Sequence, residues 1–453
     1  MKLAAQVSPA RKAAFGILVQ VDSGKAFAAD LLEGRQAAAL SDADRALATE
    51  IVMGVLRWRG EIDFRLKQLS GKTIGSFDRE VAAALRMGVY QIAFLEKIPK
   101  SAAVNESVEL TKLARKRCAS GLVNAVLRKC EPSKVQPERR DESERDKAAL
   151  AGAERTLPSW LMARWEACYG REAAASLAHA GTQIPTTTLR ITPLCKDPAL
   201  VEERLAEKSI AVRKGRYAAG ALAVRSGKGV NSQLALEMGL AIQDEASQLA
   251  ASLVAVRPGQ RVLDLAAAPG MKTSLLADAI AGGLLVACDT SRTRLRTMKK
   301  LLPRLTTNLK PVQLVQLDAS QELPFRQTFD RILVDAPCSG TGTLARNPEI
   351  KWRLTPGDLA RLAKLQSRIL LNALGLLARG GRLVYATCSL EPEENEKVVE
   401  SVLPEFPGCR LLSRRELSEE FPNLASLFDS RGYFHTRPDL DGMDGFFAAV
   451  ITR

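Results

Sequence analysis

Long apolar runs are missing from this 453-residue chain. No window holds the roughly 18 uninterrupted apolar residues that a membrane-spanning helix needs, so no membrane segment is expected. Histidine is scarce, with two in the whole chain, which disfavours a His-rich metal centre. The eight cysteines, at 118, 130, 168, 195, 288, 338, 388 and 409, form no CxxC pair. That spacing argues against a zinc ribbon or a thioredoxin-type motif, and no metal is expected. Met1 to Ala14 carries Lys2, Arg11 and Lys12 but no long apolar stretch, so it does not read as a secretory signal. Scattered cysteines in a large chain without such a signal read as reduced thiols in the cytoplasm. Internal repeats and low-complexity tracts are also missing.

What is present is an ordinary globular composition, 46% hydrophobic and 26% charged, which excludes global disorder and a collagenous or coiled-coil chain. The length implies two or three domains of roughly 100–200 residues. Lys+Arg number 65 against 51 Asp+Glu, a net charge of +14. That excess permits a polyanionic partner but selects no function by itself.

Residues 1–135 read as all-helical, with Leu, Val and Ile at three- and four-residue spacing in Ala37 to Leu56 and Val81 to Leu95. Asp42 or Asp44 is the expected cap of the helix running toward Trp58. Ser101 to Lys129 reads as two helices, the first starting at Ser101 or Asn105, with Gly121 at the break. Residues 1–140 hold 24 Lys/Arg against 15 Asp/Glu, so about +9 of the charge falls here. Arg115-Lys116-Arg117 is a candidate phosphate contact, with a solvated helix end as the alternative. Residues 131–156, with Pro132, Pro137 and a mixed-charge run, are a candidate linker. Residues 150–240 read as a small α+β module, with a helix at Trp160 to Ala178, a strand at Thr187 to Ile191 and a helix at Pro198 to Lys208.

Residues 241–453 change rhythm. Apolar runs at 261–265, 284–289, 312–317, 329–334 and 382–386 alternate with amphipathic helical stretches. Such strands predict a doubly wound parallel sheet, a Rossmann-like α/β domain, with its chemistry at the carboxyl ends of the strands. The first of these strands enters Asp264-Leu265-Ala266-Ala267-Ala268-Pro269-Gly270-Met271-Lys272. Small residues there let a ligand approach the backbone before a helix begins. The stretch is neither a Walker A loop nor GxGxxG, and a simple tight turn is the alternative reading. Asp289, Asp318 and Asp335 follow at the next three strand ends. Together with Asp264 they favour a nucleoside cofactor without a phosphate chain, and S-adenosylmethionine fits, since carboxylates suit its sulfonium. The fourth strand, past Asp335, and the fifth each deliver a cysteine, Cys338 and Cys388. A lone cysteine is usually a small core residue; beside Pro, Ser and Gly at a strand end, nucleophilic work is the better reading.

The motifs DLAAAPGMKT, DAPCSGTGTLARNPEIKW and YATCSLEPEENE closely resemble those of the two-cysteine RNA 5-methylcytosine methyltransferases. The helical N-terminus, with AVNESVEL and VNAVLR, is similar to the NusB-like RNA-binding domain. The pairing resembles the RsmB (Sun/Fmu) branch. Ala266 stands where the family has Cys, Met271 where it has a second Gly, and Thr192 where it has Asn. The resemblance implies a monomeric, S-adenosylmethionine-dependent enzyme that methylates carbon 5 of a cytosine in 16S ribosomal RNA. It implies that Cys388 attacks carbon 6, Cys338 assists product release, and Asp335 contacts the base. The cofactor contacts are expected from Ala266 to Lys272 and from Asp289, Asp318 and Asp335. A single-stranded or flipped cytosine is expected as the target. A transfer-RNA cytosine methyltransferase, a small-molecule methyltransferase and a non-catalytic RNA-binding assembly factor remain alternatives. Trp352 is expected either to stack on a base or to pack in a core, and His435 to lie at the surface or near the substrate.

Overall fold

The computed structural model describes residues 7–24, 26–132, 152–227 and 230–453. Most of the expected linker, 133–151, lies outside the described residues. The chain divides into two compact units, one of Met1–Ile184 with Leu344–Leu354, the other of Pro185–Thr343 with Thr355–Arg453. By this division the helices Ser159–Tyr169 and Arg171–Ala180 fall in the first unit. They replace the single helix expected at Trp160 to Ala178, because Gly170, at φ 83, interrupts it.

In the helical unit, the helix Arg79–Phe94 forms the centre: every residue from Val81 to Ala93 is buried. One of them is Arg86, 4% exposed. A buried guanidinium is tolerable only when fully partnered. Here Arg86 bonds both oxygens of Asp63, at 2.8 and 2.9 Å, and Asp22 at 2.9 Å. Arg59 shares Asp22 at 2.8 Å. The neighbouring helix Asp42–Arg57 is capped by Ser41, whose side chain accepts from the Asp44 N–H, so Ser41 takes the place expected of Asp42 or Asp44. The helix Lys100–Leu113 starts after Pro99, and the break before Ser120–Lys129 falls at Arg115, at φ 61, while Gly121 lies inside the second helix.

The segment Leu344–Leu354 packs within this unit. Lys351, with its side chain fully buried, donates to the Arg57 carbonyl at 2.9 Å, and the Trp352 indole donates to Leu56 O at 3.3 Å. Both satisfy carbonyls at a helix C-terminus, where a cation is also favoured by the helix dipole. Burial, with Arg57 nearby, pushes the Lys351 pKa down to about 7. Trp352 therefore packs and bonds inside the unit, beneath Arg59 at 5.3 Å.

The second unit holds two sheets. Strands β1 (Thr188–Ile191), β2 (Ala211–Lys214), β3 (Ala221–Ser226) and β4 (Leu240–Ile242) form an antiparallel sheet in the order β2-β3-β1-β4. Thr192 is buried at its end and donates to Gly239 O at 2.8 Å. The larger sheet contains β5 (Arg261–Leu265), β6 (Leu284–Asp289), β7 (Val312–Gln316), β8 (Phe329–Asp335), β9 (Leu377–Thr387), β10 (Arg410–Leu411), β11 (Phe434–Thr436) and β12 (Phe446–Thr452). Its order is β10-β12-β9-β8-β5-β6-β7, with β11 paired to β12. The five strands expected to be parallel are so, and their apolar faces are covered on both sides. The sheet as a whole is mixed, because β12 joins β9 antiparallel and brings β10 and β11 with it. No described helix is long and apolar enough to cross a membrane.

Replacing Arg86 by Met leaves Asp22 and Asp63 in the bundle with Arg59 as their remaining shared cation, at 2.8 and 3.9 Å. The expected loss of stability is about 3 kcal/mol or more, read from the urea midpoint of the helical unit. A loss below about 1 kcal/mol would show that the buried ion network contributes little.

Candidate active site

The parallel order β9-β8-β5-β6-β7 places five carboxyl ends side by side. After β5 the chain turns through Ala266, at φ 63, an uncommon conformation for a residue with a side chain. Ala267 N–H bonds Cys288 O of β6 at 2.8 Å. Gly270, at φ 105, lies so close to Met298 that an added Cβ would stand 2.9 Å from its Cγ. The helix Met271–Ala279 then begins. Met271 is half-buried, and Pro269 is exposed at the tip of the turn.

The strand-end acids do not behave alike. Asp264 is 0% exposed and cannot line the edge. One of its oxygens accepts from Thr273 Oγ1 at 2.6 Å; the other has no hydrogen-bond partner. Burial pushes its pKa up to about 7, against the opposing bond from Thr273. Asp289 is 3% exposed and ties the turn: it accepts from Ser291 N–H at 2.8 Å and Ala268 N–H at 3.3 Å and pairs with Arg294 at 3.2 Å. Arg294 also donates to Ala268 O. Asp318 is exposed, two residues beyond β7, and accepts from the Ser320 N–H and hydroxyl at 2.9 and 2.7 Å. Asp335, at the end of β8, is bonded to Lys272 Nζ at 2.8 Å. Burial opposes the charge on Lys272, but Asp335 outweighs it and holds the ammonium pKa above its ordinary value, with Cys388 adding to the effect.

The two cysteines meet. Cys338 Sγ and Cys388 Sγ are 3.3 Å apart, a hydrogen-bond distance and far beyond a disulfide. Both are half-buried. The hydrogen bond to Cys388 is the largest of the effects pushing the Cys338 pKa well up; burial and Glu394 add to it. Cys338 therefore keeps its proton at neutral pH and can donate it to the Cys388 sulfur.

The side chain that brings these loops together is Glu394, 0% exposed. It accepts from Ser339 N–H at 2.9 Å and from the Ser339 hydroxyl on the Cys338 loop, and from the Ser389 hydroxyl at 2.6 Å on the Cys388 loop. Gln366 donates to it at 2.9 Å and also to Pro337 O. Burial raises the Glu394 pKa even against these donors. Backbone contact adds a second tie. Gly342 N–H bonds Cys388 O at 3.0 Å, and Gly445 N–H bonds Gly342 O at 2.8 Å. A Cβ on Gly342 would stand 2.0 Å from Gly445 O. Glu394, Gln366 and Ser389 have no role in the sequence reading. The only sign of Glu394 is its place among four acids in EPEENE, a stretch with no period to show that Glu391 and Glu394 are the buried ones. His435 is 35% exposed at its side chain on β11, 3.6 Å from Glu396 and 3.7 Å from Asp429.

A Rossmann-like sheet with a small-residue turn, strand-end acids and paired thiols defines a transferase of the methyltransferase class, and comparison with known proteins narrows it. Residues 251–452 match the family described as 16S rRNA methyltransferase RsmB/F, 8–132 match the NusB family, and 157–231 match the RsmF/B-like ferredoxin-like domain. The probable ribosomal RNA small subunit methyltransferase B of Bacillus subtilis is 31% identical, over 98% of both chains. Ribosomal RNA small subunit methyltransferase B of Pseudomonas putida is 34% identical, also over 98% of both. A solved methyltransferase homologue from Pyrococcus horikoshii is 30% identical with a TM-score of 0.55, covering 67% of this chain and 98% of that one. The chain belongs to the RsmB/F family of RNA methyltransferases.

The raised pKa of Asp264 makes a pH prediction. A carboxyl whose folded pKa lies above its unfolded value stabilises the fold at low pH, and that stabilisation is lost as pH rises. Stability of the catalytic unit should therefore fall between about pH 4 and 7, the window set by the ordinary and folded values. Asp264→Asn should flatten that slope. Equal slopes in urea titrations of the two proteins would contradict the assignment.

Proposed function

We propose that the chain transfers a methyl group from S-adenosylmethionine to carbon 5 of a cytosine in 16S ribosomal RNA, through a covalent Cys388–cytosine intermediate. The observation that carries this reading is the 3.3 Å approach of the two thiols at the carboxyl edge of the sheet. The names of the full-length relatives favour ribosomal over transfer RNA.

The edge suits this cofactor. The Ala266–Lys272 turn is small, Asp318 and Asp335 are accessible, and their carboxylates suit a cationic sulfonium. Ala266 to Lys272 with Asp289, Asp318 and Asp335 would hold it. When bound, S-adenosylmethionine supplies an electrophilic methyl group.

The protein's own groups do the rest. Cys388 sulfur forms a bond to carbon 6, and the carbon 5–carbon 6 π pair becomes available at carbon 5. Asp335, held by Lys272 at 2.8 Å, would contact the base near ring nitrogen 3 and offset the charge that develops there. After methylation the proton on carbon 5 leaves, the double bond reforms, and Cys388 is expelled as thiolate. Cys338 would take that proton. Its own proton is held mainly by the hydrogen bond to Cys388. Once Cys388 is bonded to carbon 6 that hold weakens, Cys338 gives its proton up to solvent, and as a thiolate it would accept the proton from carbon 5. The helical segment 1–135 would dock RNA, ahead of the 150–240 module and the 241–453 catalytic domain, in a monomeric cytoplasmic enzyme.

Cys388→Ala should abolish methylation without adduct. Cys338→Ala should accumulate a covalent protein–RNA species that survives denaturing electrophoresis. Absence of that species from Cys338→Ala would show that the two roles are misassigned.

A further inference from the structure

The catalytic unit carries a concentration of positive charge of its own. From Thr290 to Leu317 the chain contains seven Lys/Arg and no Asp or Glu, a local excess of +7 against +14 for the whole chain. Most of it lies on the helix Arg292–Leu301 and the turn after it. Leu295, Met298 and Leu302 bury one face against Ala267 and Ala268 of the cofactor turn. Arg292, Arg296, Lys299, Lys300, Arg304 and Lys310 are all exposed.

Arg294 is committed to Asp289 and the Ala268 carbonyl. The other six have no carboxylate partner among the described residues. Unpaired cations occur elsewhere on the unit, but in smaller groups, and several others are paired. Arg361, Lys397, Arg410 and Arg415 each pair with an acid at 2.7 to 2.9 Å. Arg292, Arg296 and Lys300 follow one another at four-residue spacing, and like charges so placed destabilise a helix. Repulsion of this kind is compensated when a polyanion lies along the face. The helix Arg292–Leu301 exposes no large apolar side chain to insert into a lipid layer, Leu309 beyond it standing alone beside Lys310, whereas phosphates spaced along a nucleic-acid strand match a row of cations.

We infer that the face formed by Arg292, Arg296, Lys299, Lys300, Arg304 and Lys310 docks the phosphate backbone of the RNA beside the cofactor turn, as a second contact separate from the helical unit. This rests on the RNA substrate proposed above. Phosphate contacts fix position and register without reading sequence. The face would hold the strand while the target base enters the thiol site.

The test uses the full-length protein and transcribed 16S ribosomal RNA, with affinity measured across a salt series. One variant carries Arg292→Gln, Arg296→Gln, Lys299→Gln and Lys300→Gln; a control carries Arg361→Gln, Lys397→Gln, Arg410→Gln and Arg415→Gln, an equal change in net charge. The first should bind about ten-fold or more weaker at physiological salt, with the log–log salt slope reduced by about two to four. Its S-adenosylmethionine affinity and thermal midpoint should stay as in wild type, and the control should bind RNA as wild type does. Equal behaviour of the two variants, or an unchanged slope, would overturn the docking face while leaving the methyltransferase reading intact. RNA affinity unchanged together with loss of binding to phosphatidylglycerol vesicles would overturn it in favour of a membrane. A wild-type protein that neither binds nor methylates the RNA would overturn the underlying reading instead.

Discussion

For two thiols on separate strands to stand 3.3 Å apart, the loops that carry them must be fixed to each other. Glu394 does this with one carboxylate that accepts from Ser339 and Ser389, one on each cysteine loop, and from Gln366 beneath them. A buried carboxylate without a cation is costly unless donors surround it. Several converging donors make that cost tolerable, and they also remove freedom from both loops. The glycine contact between Gly342 and Gly445 brings the β12 approach into the same assembly. The distance between the thiols, and hence the hydrogen bond between them, follows from these ties.

Electrostatics divides the protein in a way that net charge conceals. Several cations of the helical unit are committed to its own acids: Arg86 and Arg59 to Asp22, Arg11 to Glu106, and Lys116 to Asp78. Arg115 and Arg117 stay exposed beside Lys116, so part of that basic run remains available to phosphate. On the catalytic unit the pattern is reversed, with the edge acids tied into the turn and the thiol site, and unpaired cations displayed on the adjoining helix face.

The parallel strands were legible because continuous apolar runs have few other solutions, and all five lie where the pattern predicts. The cysteines and the Pro-Gly turn were legible because their neighbours are small and polar at strand ends. Helix ends were less so. Ser41 outcompetes two nearby aspartates as a cap, and Arg115 adopts the left-handed conformation that suggested a glycine break. Asp264 read as an edge acid, yet alternation within β5 turns it into the interior, where Thr273 holds it. Lys351 and Trp352 read as part of the catalytic motif, while their side chains serve the carbonyls of a helix C-terminus. Glu394 was hidden because its role depends on contacts made across loops 55 residues apart.

The central claim is that these two thiols modify a ribosomal cytosine, and bisulfite sequencing tests it most directly. In cells lacking the gene, one cytosine of 16S ribosomal RNA should lose its protection from conversion. Wild-type protein should restore it, and Cys388→Ala should not. Unchanged protection throughout 16S ribosomal RNA on deletion, or loss confined to transfer RNA, would contradict the account.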